Sequence, residues 1–429
     1  MSSLTSSTTD PQPPVSNTKL VAAGSIGNAL EWYDFAIYGY LAPYIASQFF
    51  PSDDPLSSLL AAFGAFAAGY LARPLGAIIF GQIGDTIGRK HLLTISITMM
   101  GLSSMCIGLL PTYDQIGPAA GVVLVIFRVM QGISVGGEFT GSMVFLTENA
   151  PRGRRGLLAS TVNIGCIAGF LLGSGFTALL GNLVSDDQLS DGTWRIAFLS
   201  GAIIMIIGLV LRRSLTVPDA VDRTKSGVPP VVLAIHSHWR KILTVACLAL
   251  SANVGFYILF VFAVSYLTDE MHVSTARAMD INTAALFLMM CVVPIGGWIS
   301  DIFGRKPVLI VFNFALFISA YPLFWLMHHN QDYMILMGQV GFALIAGIIF
   351  GTNPATLPEF SPKEARVSVL ALGYNLAMAL FGGTAPAVAT LLIERTSNDM
   401  SPAFYMMLFP LLAVLVLLKL KEPANRDLT

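Results

Sequence analysis

Five ionisable side chains stand in stretches that are otherwise apolar. Glu31 and Asp34 lie in GNALEWYDFAIYGY (27–40), Arg73 in YLARPLGAIIF (70–80), and Arg128 and Glu138 in RVMQGISVGGEFTG (128–141). A guanidinium offers a planar fork of donors that grips a carboxylate bidentately. An enclosed carboxyl can take up and release a proton near neutral pH. At about 100° per residue, Asn28, Glu31, Asp34 and Tyr38 share one broad helical face, and Arg128, Gln131 and Glu138 share another. If the two faces meet, one pocket holds an anion-binding arginine beside a proton-carrying acid. The acids rank Asp34 and Glu31 first, Glu138 next. Arg128 is expected to contact a bound anion, to pair with one of the acids, or to exchange the two. Glu138 has the plainer alternative of packing among Gly136, Gly137 and Gly141.

The second half of the chain has no comparable buried charge. It offers Asn253, Phe256, Tyr257, Tyr374 and Asn375 within apolar runs. Aromatic faces attract ammonium groups, so an anion-binding arginine in one half and a π-rich wall in the other would suit a zwitterion. Helix packing is the plain alternative for each aromatic taken singly. A di- or tricarboxylate would call for a second buried cation, and the second half shows none.

The elements that must position these groups are membrane-spanning helices. Of 429 residues, 55% are hydrophobic and only 11% charged, against about 25% charged in soluble domains. Apolar runs of roughly 18–25 residues recur along the chain, each long enough to cross a bilayer, and hydrocarbon admits only helices or closed barrels. The pattern predicts twelve spans, near 21–49, 56–82, 91–111, 118–147, 156–182, 194–212, 241–268, 280–300, 307–327, 332–357, 366–393 and 402–419. Residues 1–18 read as a disordered tail, 19–212 as a first six-helix bundle, 213–240 as a linker, 241–421 as a second bundle and 422–429 as a short tail. With both termini in the cytoplasm, nineteen of the 24 lysines and arginines fall on that side, three on the other, and two (Arg73 and Arg128) within spans. That asymmetry follows the positive-inside rule.

The two halves repeat. GQIGDTIGRK (81–90) returns as GWISDIFGRK (297–306) at an offset of 216, and ENAPRGRR (148–155) is echoed by EFSPKEAR (359–366) at 211. The first motif forms cytoplasmic loops whose glycines allow tight turns. Its Asp85 and Asp301 are expected to pair with a cation or a helix N-terminus across the halves. Arg89 is expected to reach an acid such as Glu148, and Arg305 occupies the matching place in the second loop. Such pairs would hold a cytoplasmic gate shut in one state and break in the other. Arg73, beside Pro74, reads as lying toward the cytoplasmic end, in a gating or snorkelling role.

Other chemistries are excluded. A net charge of −1 gives no footing for nucleic acid. The four cysteines stand singly in apolar runs and read as inert buried thiols. The six histidines fall at loops or span ends away from ligand-spaced partners, so no metal or other cofactor is expected. No phosphate-cradling GxxxxGK[ST] appears, and no nucleophile, base and oxyanion set lies at one depth, which argues against an enzyme.

Two halves joined by a central linker resemble the major facilitator superfamily, in which substrate lies near the midplane between halves. GNALEWYDFAIYGY, LARPLGAIIFGQIGDTIGRK, RVMQGISVGGEFTG and the final KEPANRDL are similar to the metabolite:proton symporters of that superfamily, most of all to their proline/betaine transporters. The resemblance covers nearly the whole chain from about Ser25. It implies an all-α protein of two pseudo-symmetric six-helix bundles in the bacterial inner membrane, working as a monomer within the lipid bilayer. It implies import of a small organic solute with protons. The solute would be zwitterionic like proline or betaine. Alternatives are a mono-, di- or tricarboxylate, as in the related α-ketoglutarate, citrate and shikimate carriers, or a sensor that keeps the fold and moves nothing.

Overall fold

The computed structural model describes residues 17–87, 89–214, 230–329 and 331–424, without the side chains of 17–27, 81–93, 186, 204 and 211–230. Among the described residues every regular element is helical. Ten helices among the described residues are long and apolar enough to cross a membrane: Pro55–Phe80, Ala119–Asn149, Arg155–Leu183, Leu189–Val210, Val231–Asp269, Thr275–Phe303, Arg305–Met327, Asp332–Phe360, Lys363–Thr396 and Ser401–Lys419. Two more, Asn17–Tyr40 (continued by Ala42–Phe49) and Arg89–Leu109, complete the predicted twelve. They are numbered here as spans 1–12 in chain order.

Several spans are not straight, and the sequence explains where. Span 2 breaks at Ala72, ahead of Pro74, whose ring cannot continue the hydrogen-bond ladder. Span 4 breaks between Val135 and Glu138, at Gly136 and Gly137. Spans 7 and 11 each carry one wide π-helical turn, Ile258–Phe262 and Met378–Gly382. Such turns concentrate at functional sites. Each of these two directly follows a predicted polar–aromatic pair: Asn253 and Tyr257 in span 7, Tyr374 and Asn375 in span 11. At the start of span 2, the Asp54 side chain accepts from the Leu56 and Ser57 amides. The Ser57 hydroxyl, with those amides, holds the exposed Asp54 carboxyl below the usual carboxylate range.

Glycines set the close helix approaches. A Cβ on Gly132 of span 4 would overlap the Gly69 carbonyl of span 2, and one on Gly76 would overlap the Ile133 carbonyl. Spans 2 and 4 therefore meet backbone to backbone, as small residues allow in a membrane. Between the halves, Gly156 (span 5) and Gly297 (span 8) face each other in the same way.

Two expectations are corrected. Residues 230–240 are not linker: a helix begins at Pro230 and is kinked at His238 (φ −125°) before span 7. Pro230 suits a first helical turn, and Val231, Val232 and Leu233 supply apolar surface. The rest of the linker, 215–229, lies outside the described residues, as do 1–16 and 425–429. The cysteines are all free but not all buried: Cys166 is, Cys106 and Cys247 are half-buried, and Cys291 is exposed. In a bilayer-spanning bundle an outward-facing apolar thiol meets lipid, so helical position decides its exposure.

Candidate functional site

The predicted faces of spans 1 and 4 do meet. Arg128 is fully buried, its guanidinium carbon 4.3 Å from the Tyr38 ring centroid and 4.6 Å from that of Phe35. Its Nη1 donates to Gln131 Oε1 at 2.6 Å, and Gln131 Nε2 donates to Ser104 Oγ at 2.7 Å. Ser104, on span 3, lies beside Asp34, both side chains standing against Gly201 of span 6. The two neutral side chains Gln131 and Ser104 thus stand between Arg128 and Asp34. Asp34 is 2% exposed, and its Oδ1 is buried without a hydrogen-bond partner.

Glu31 and Asp34 line one small cavity of about 10 Å³ with Ile97 and Gly101 of span 3 and Gly201 of span 6. That is about the least room that holds one water. Asn28 is also buried, one turn from Glu31. Both acids therefore look into the first bundle, away from the second half. Glu138 is half-buried at the N-terminal end of the second segment of span 4, just past the Gly136–Gly137 break.

The seam between the halves is aromatic. Tyr70 Oη and Tyr257 Oη lie 2.6 Å apart, linking span 2 to span 7. Tyr374 Oη donates to Asn253 Oδ1 at 3.1 Å, and its ring lies 5.0 Å from that of Phe139 on span 4. Asn375 Nδ2 donates to the Gly136 carbonyl at 2.8 Å. The acceptor is a carbonyl that the break in span 4 sets free. Asn253, Tyr257, Tyr374 and Asn375 thus lie along the seam, and the fifth second-half residue, Phe256, packs against Tyr257. The aromatic wall, expected from the second half alone, is built by both: Trp32, Tyr70 and Phe139 from the first, Phe256, Tyr257 and Tyr374 from the second.

Arg73 does not snorkel. It is 1% exposed, with its guanidinium carbon 4.6, 4.6 and 4.4 Å from the ring centroids of Trp32, Phe35 and Tyr70. The break at Ala72 and the step of three from Tyr70 turn it inward beside the seam. Sequence reasoning also missed Ser104 and Tyr70. Each had a signal: Ser103–Ser104 places hydroxyls at membrane depth, and Tyr70 lies one turn before a buried arginine.

At the end of the molecule that carries the repeated loops, charged groups tie the halves together. The Asp301 carboxylate accepts from the Gly156 and Leu157 amides at 2.8 and 2.9 Å, at the N-terminus of span 5 in the other half. Arg305 holds Asp301 at 2.8 Å and Glu359 at 3.1 Å. Glu148 pairs with Arg366 of span 11 at 2.5 Å. The expected helix-terminus partner of Asp301 is thus found across the seam, and Glu148 meets a cation of the opposite half. The side chains of Asp85 and Arg89 lie outside the described residues. At the other end, the hydroxyls of Tyr44 (span 1) and Thr275 (span 8) lie 2.9 Å apart. The halves touch at both ends.

The sequence description "Major Facilitator Superfamily" matches residues 24–278 and 245–429. The chain is 37% identical to a proline/betaine transporter of Escherichia coli (strain K12), over 96% of this chain and 84% of that protein. It is 36% identical, with the same coverage, to the glycine betaine/proline/ectoine/pipecolic acid transporter OusA of Dickeya dadantii (strain 3937). Its fold matches a crystal structure of the D-xylose-proton symporter with a TM-score of 0.76 at 19% identity, over 95% of this chain and 99% of that one. It also matches a partially occluded inward-open form of the xylose transporter XylE from E. coli, at 0.73 and 17%, over 96% and 99%. Twelve helices in two repeated halves, matched along nearly their whole length by named transporters, make this chain a member of the Major Facilitator Superfamily, a multi-pass membrane transporter and not an enzyme.

Proposed function

We propose that this chain is a proton-coupled symporter that imports a small zwitterionic solute of the proline and glycine betaine class. It would work as a monomer in the bacterial inner membrane, with both termini in the cytoplasm. The names of its relatives support the solute class. The observation that carries the mechanism is the line of side chains in which Arg128 bonds Gln131, Gln131 bonds Ser104, and Ser104 lies beside Asp34.

A buried charge is costly unless it is compensated. With Asp34 ionised, Ser104 donates to it, and the oriented Gln131 holds Arg128. A proton on Asp34 weakens its hold on the Ser104 hydroxyl, since a neutral carboxyl accepts less strongly than a carboxylate and brings an O–H donor of its own. The hydroxyl can then turn, Gln131 loosens, and Arg128 is released toward the seam, one ring away across Phe66, which stacks near Tyr257. Protonation and solute binding thus favour the same arrangement, which is the thermodynamic requirement for symport. Glu31, on the same cavity, is the neighbouring proton site, and Glu138 stands where the break in span 4 meets the seam. Tyr257, Tyr374, Asn253 and Asn375 would form the solute's wall in the second half, and Asn28, Tyr38, Gln131 and Arg128 its support in the first.

The ties at the loop-bearing end act as the cytoplasmic gate. Asp301 on the span 5 terminus and Glu148 on Arg366 break when the halves rock apart there, while Arg305 stays with Glu359 in its own half. Asp85 and Arg89 would serve the matching loop.

The test is solute counterflow in proteoliposomes with proline, glycine betaine, α-ketoglutarate, citrate and shikimate. Counterflow with proline or glycine betaine, and none with the three carboxylates, is expected. Counterflow with a carboxylate alone would overturn the zwitterion assignment, and counterflow with none of the five would overturn the transport reading for this class.

A further inference from the structure

Arg73, like Arg128, is a buried cation held among rings, and it is the one beside the seam. It is 1% exposed and surrounded by three rings, and its Nε and Nη2 are buried without a hydrogen-bond partner among the described residues. Burying a guanidinium with donors unsatisfied is expensive. The three rings compensate only in part, because attraction to a ring face is weaker than a full set of hydrogen bonds. The position is also not an interior one of a single bundle. Tyr70, which forms one wall of the box, touches the Tyr257 hydroxyl and lies against Gly383 of the second half. The box therefore sits on the surface that must open when the halves separate.

We propose that Arg73 is a built-in stand-in for the solute's ammonium, and that it becomes the solute's carboxylate partner on binding. This deepens the zwitterion reading and rests on it. In the closed, solute-free form the guanidinium occupies the box of Trp32, Phe35 and Tyr70. An incoming onium group takes the box, and the displaced guanidinium turns its unpaired Nε and Nη2 to the solute's carboxylate. A zwitterion satisfies both the box and the fork at once. A simple cation has to evict Arg73 and leaves it unpaired. A simple anion leaves the box and the guanidinium together and gains only one of the two interactions. Selectivity for molecules carrying both charges then comes from one residue with two alternative partners.

The test compares equilibrium binding of radiolabelled glycine betaine and choline to purified wild type, Arg73→Gln and Arg73→Lys. The two ligands share a trimethylammonium head, and choline lacks the carboxylate. Wild type should bind glycine betaine well above choline. In Arg73→Gln, betaine affinity should fall by about tenfold or more, the worth of a lost charge-assisted pair. Choline affinity should rise by about threefold or more, since no cation competes for the rings. Arg73→Lys, which keeps the charge but not the planar fork, should weaken betaine with choline unchanged. It carries the test if Arg73→Gln elutes as aggregate in gel filtration. Betaine affinity unchanged in the variants, or betaine and choline affinities falling in parallel, overturns the Arg73 proposal and leaves the symport reading standing. Wild type that binds neither ligand nor proline overturns the zwitterion reading and this proposal with it.

Discussion

Asp34→Asn protein, reconstituted in liposomes, should exchange labelled glycine betaine with internal betaine at a rate near that of wild type, yet fail to accumulate it against an inward proton gradient. Asparagine keeps the shape of the side chain and, being neutral, stands in for the protonated acid, so Arg128 is released and the solute site can form. What is lost is the ability to take a proton from one side and release it on the other. For one proton per solute, a gradient of two pH units supports about hundredfold accumulation, since each unit is worth about 1.4 kcal/mol. The variant should reach only the external concentration, so the expected loss is about the whole hundredfold. Counterflow separates this from misfolding, because exchange needs the solute site and the rocking motion but no net proton transfer. Accumulation by Asp34→Asn equal to wild type would move the proton to Glu31 or Glu138, and loss of counterflow together with accumulation would make Asp34 a binding or folding residue.

The second large effect concerns the scaffold. Gly132→Val places branched carbons where the Gly69 carbonyl already stands. Spans 2 and 4 would have to separate, and with them the walls that hold Arg128 and Arg73. Overpacking that backbones cannot relax costs upward of about 3 kcal/mol. Detergent-purified Gly132→Val should elute largely as aggregate or show a midpoint lowered by roughly 5–10 °C or more. Gly141→Ala, two turns on in the same span, has nothing within 4 Å of the added methyl and should change stability by less than about 0.5 kcal/mol. Equal midpoints for the two variants would mean that the close approach of spans 2 and 4 is not what holds the first bundle together.

Much of this architecture was legible in the sequence because lipid makes the rules severe. Apolar runs, the bias of lysine and arginine, and the repeat of the Gly-Arg-Lys loops were enough for twelve spans in two halves. The helical period put Asn28, Glu31, Asp34 and Tyr38 on one face and Arg128, Gln131 and Glu138 on another; Arg128 lies over the Tyr38 ring, while the break at Gly136 and Gly137 sets Glu138 in a separate segment. Asp301 was expected to meet a cation or a helix N-terminus across the halves, and it accepts from the first amides of span 5.

The misses share a physical origin. Helical periodicity reports which residues share a face, but not how helices are rotated against their neighbours. Ser104 becomes a relay only because span 3 turns it between Gln131 and Asp34. Arg73 was placed near the membrane surface by its neighbour Pro74. The break that proline favours instead turns the arginine into the aromatic seam. The wide turns in spans 7 and 11 leave no periodic signature, since one extra residue in a turn shifts the phase without changing composition. The start of span 7 was placed about ten residues late because Arg240, Lys241 and the histidines masked a helix that had already begun at Pro230.

The most direct measurement of the central claim is proton movement during solute entry. Wild-type proteoliposomes loaded with a pH-sensitive dye, at equal pH inside and out, receive glycine betaine or proline outside. Symport predicts that the lumen acidifies as solute enters, that the acidification scales with the inward solute gradient, and that Asp34→Asn shows solute equilibration without it. Solute entry with no acidification in wild type would contradict proton coupling and reduce the relay of Arg128, Gln131, Ser104 and Asp34 to a structural feature of the first bundle.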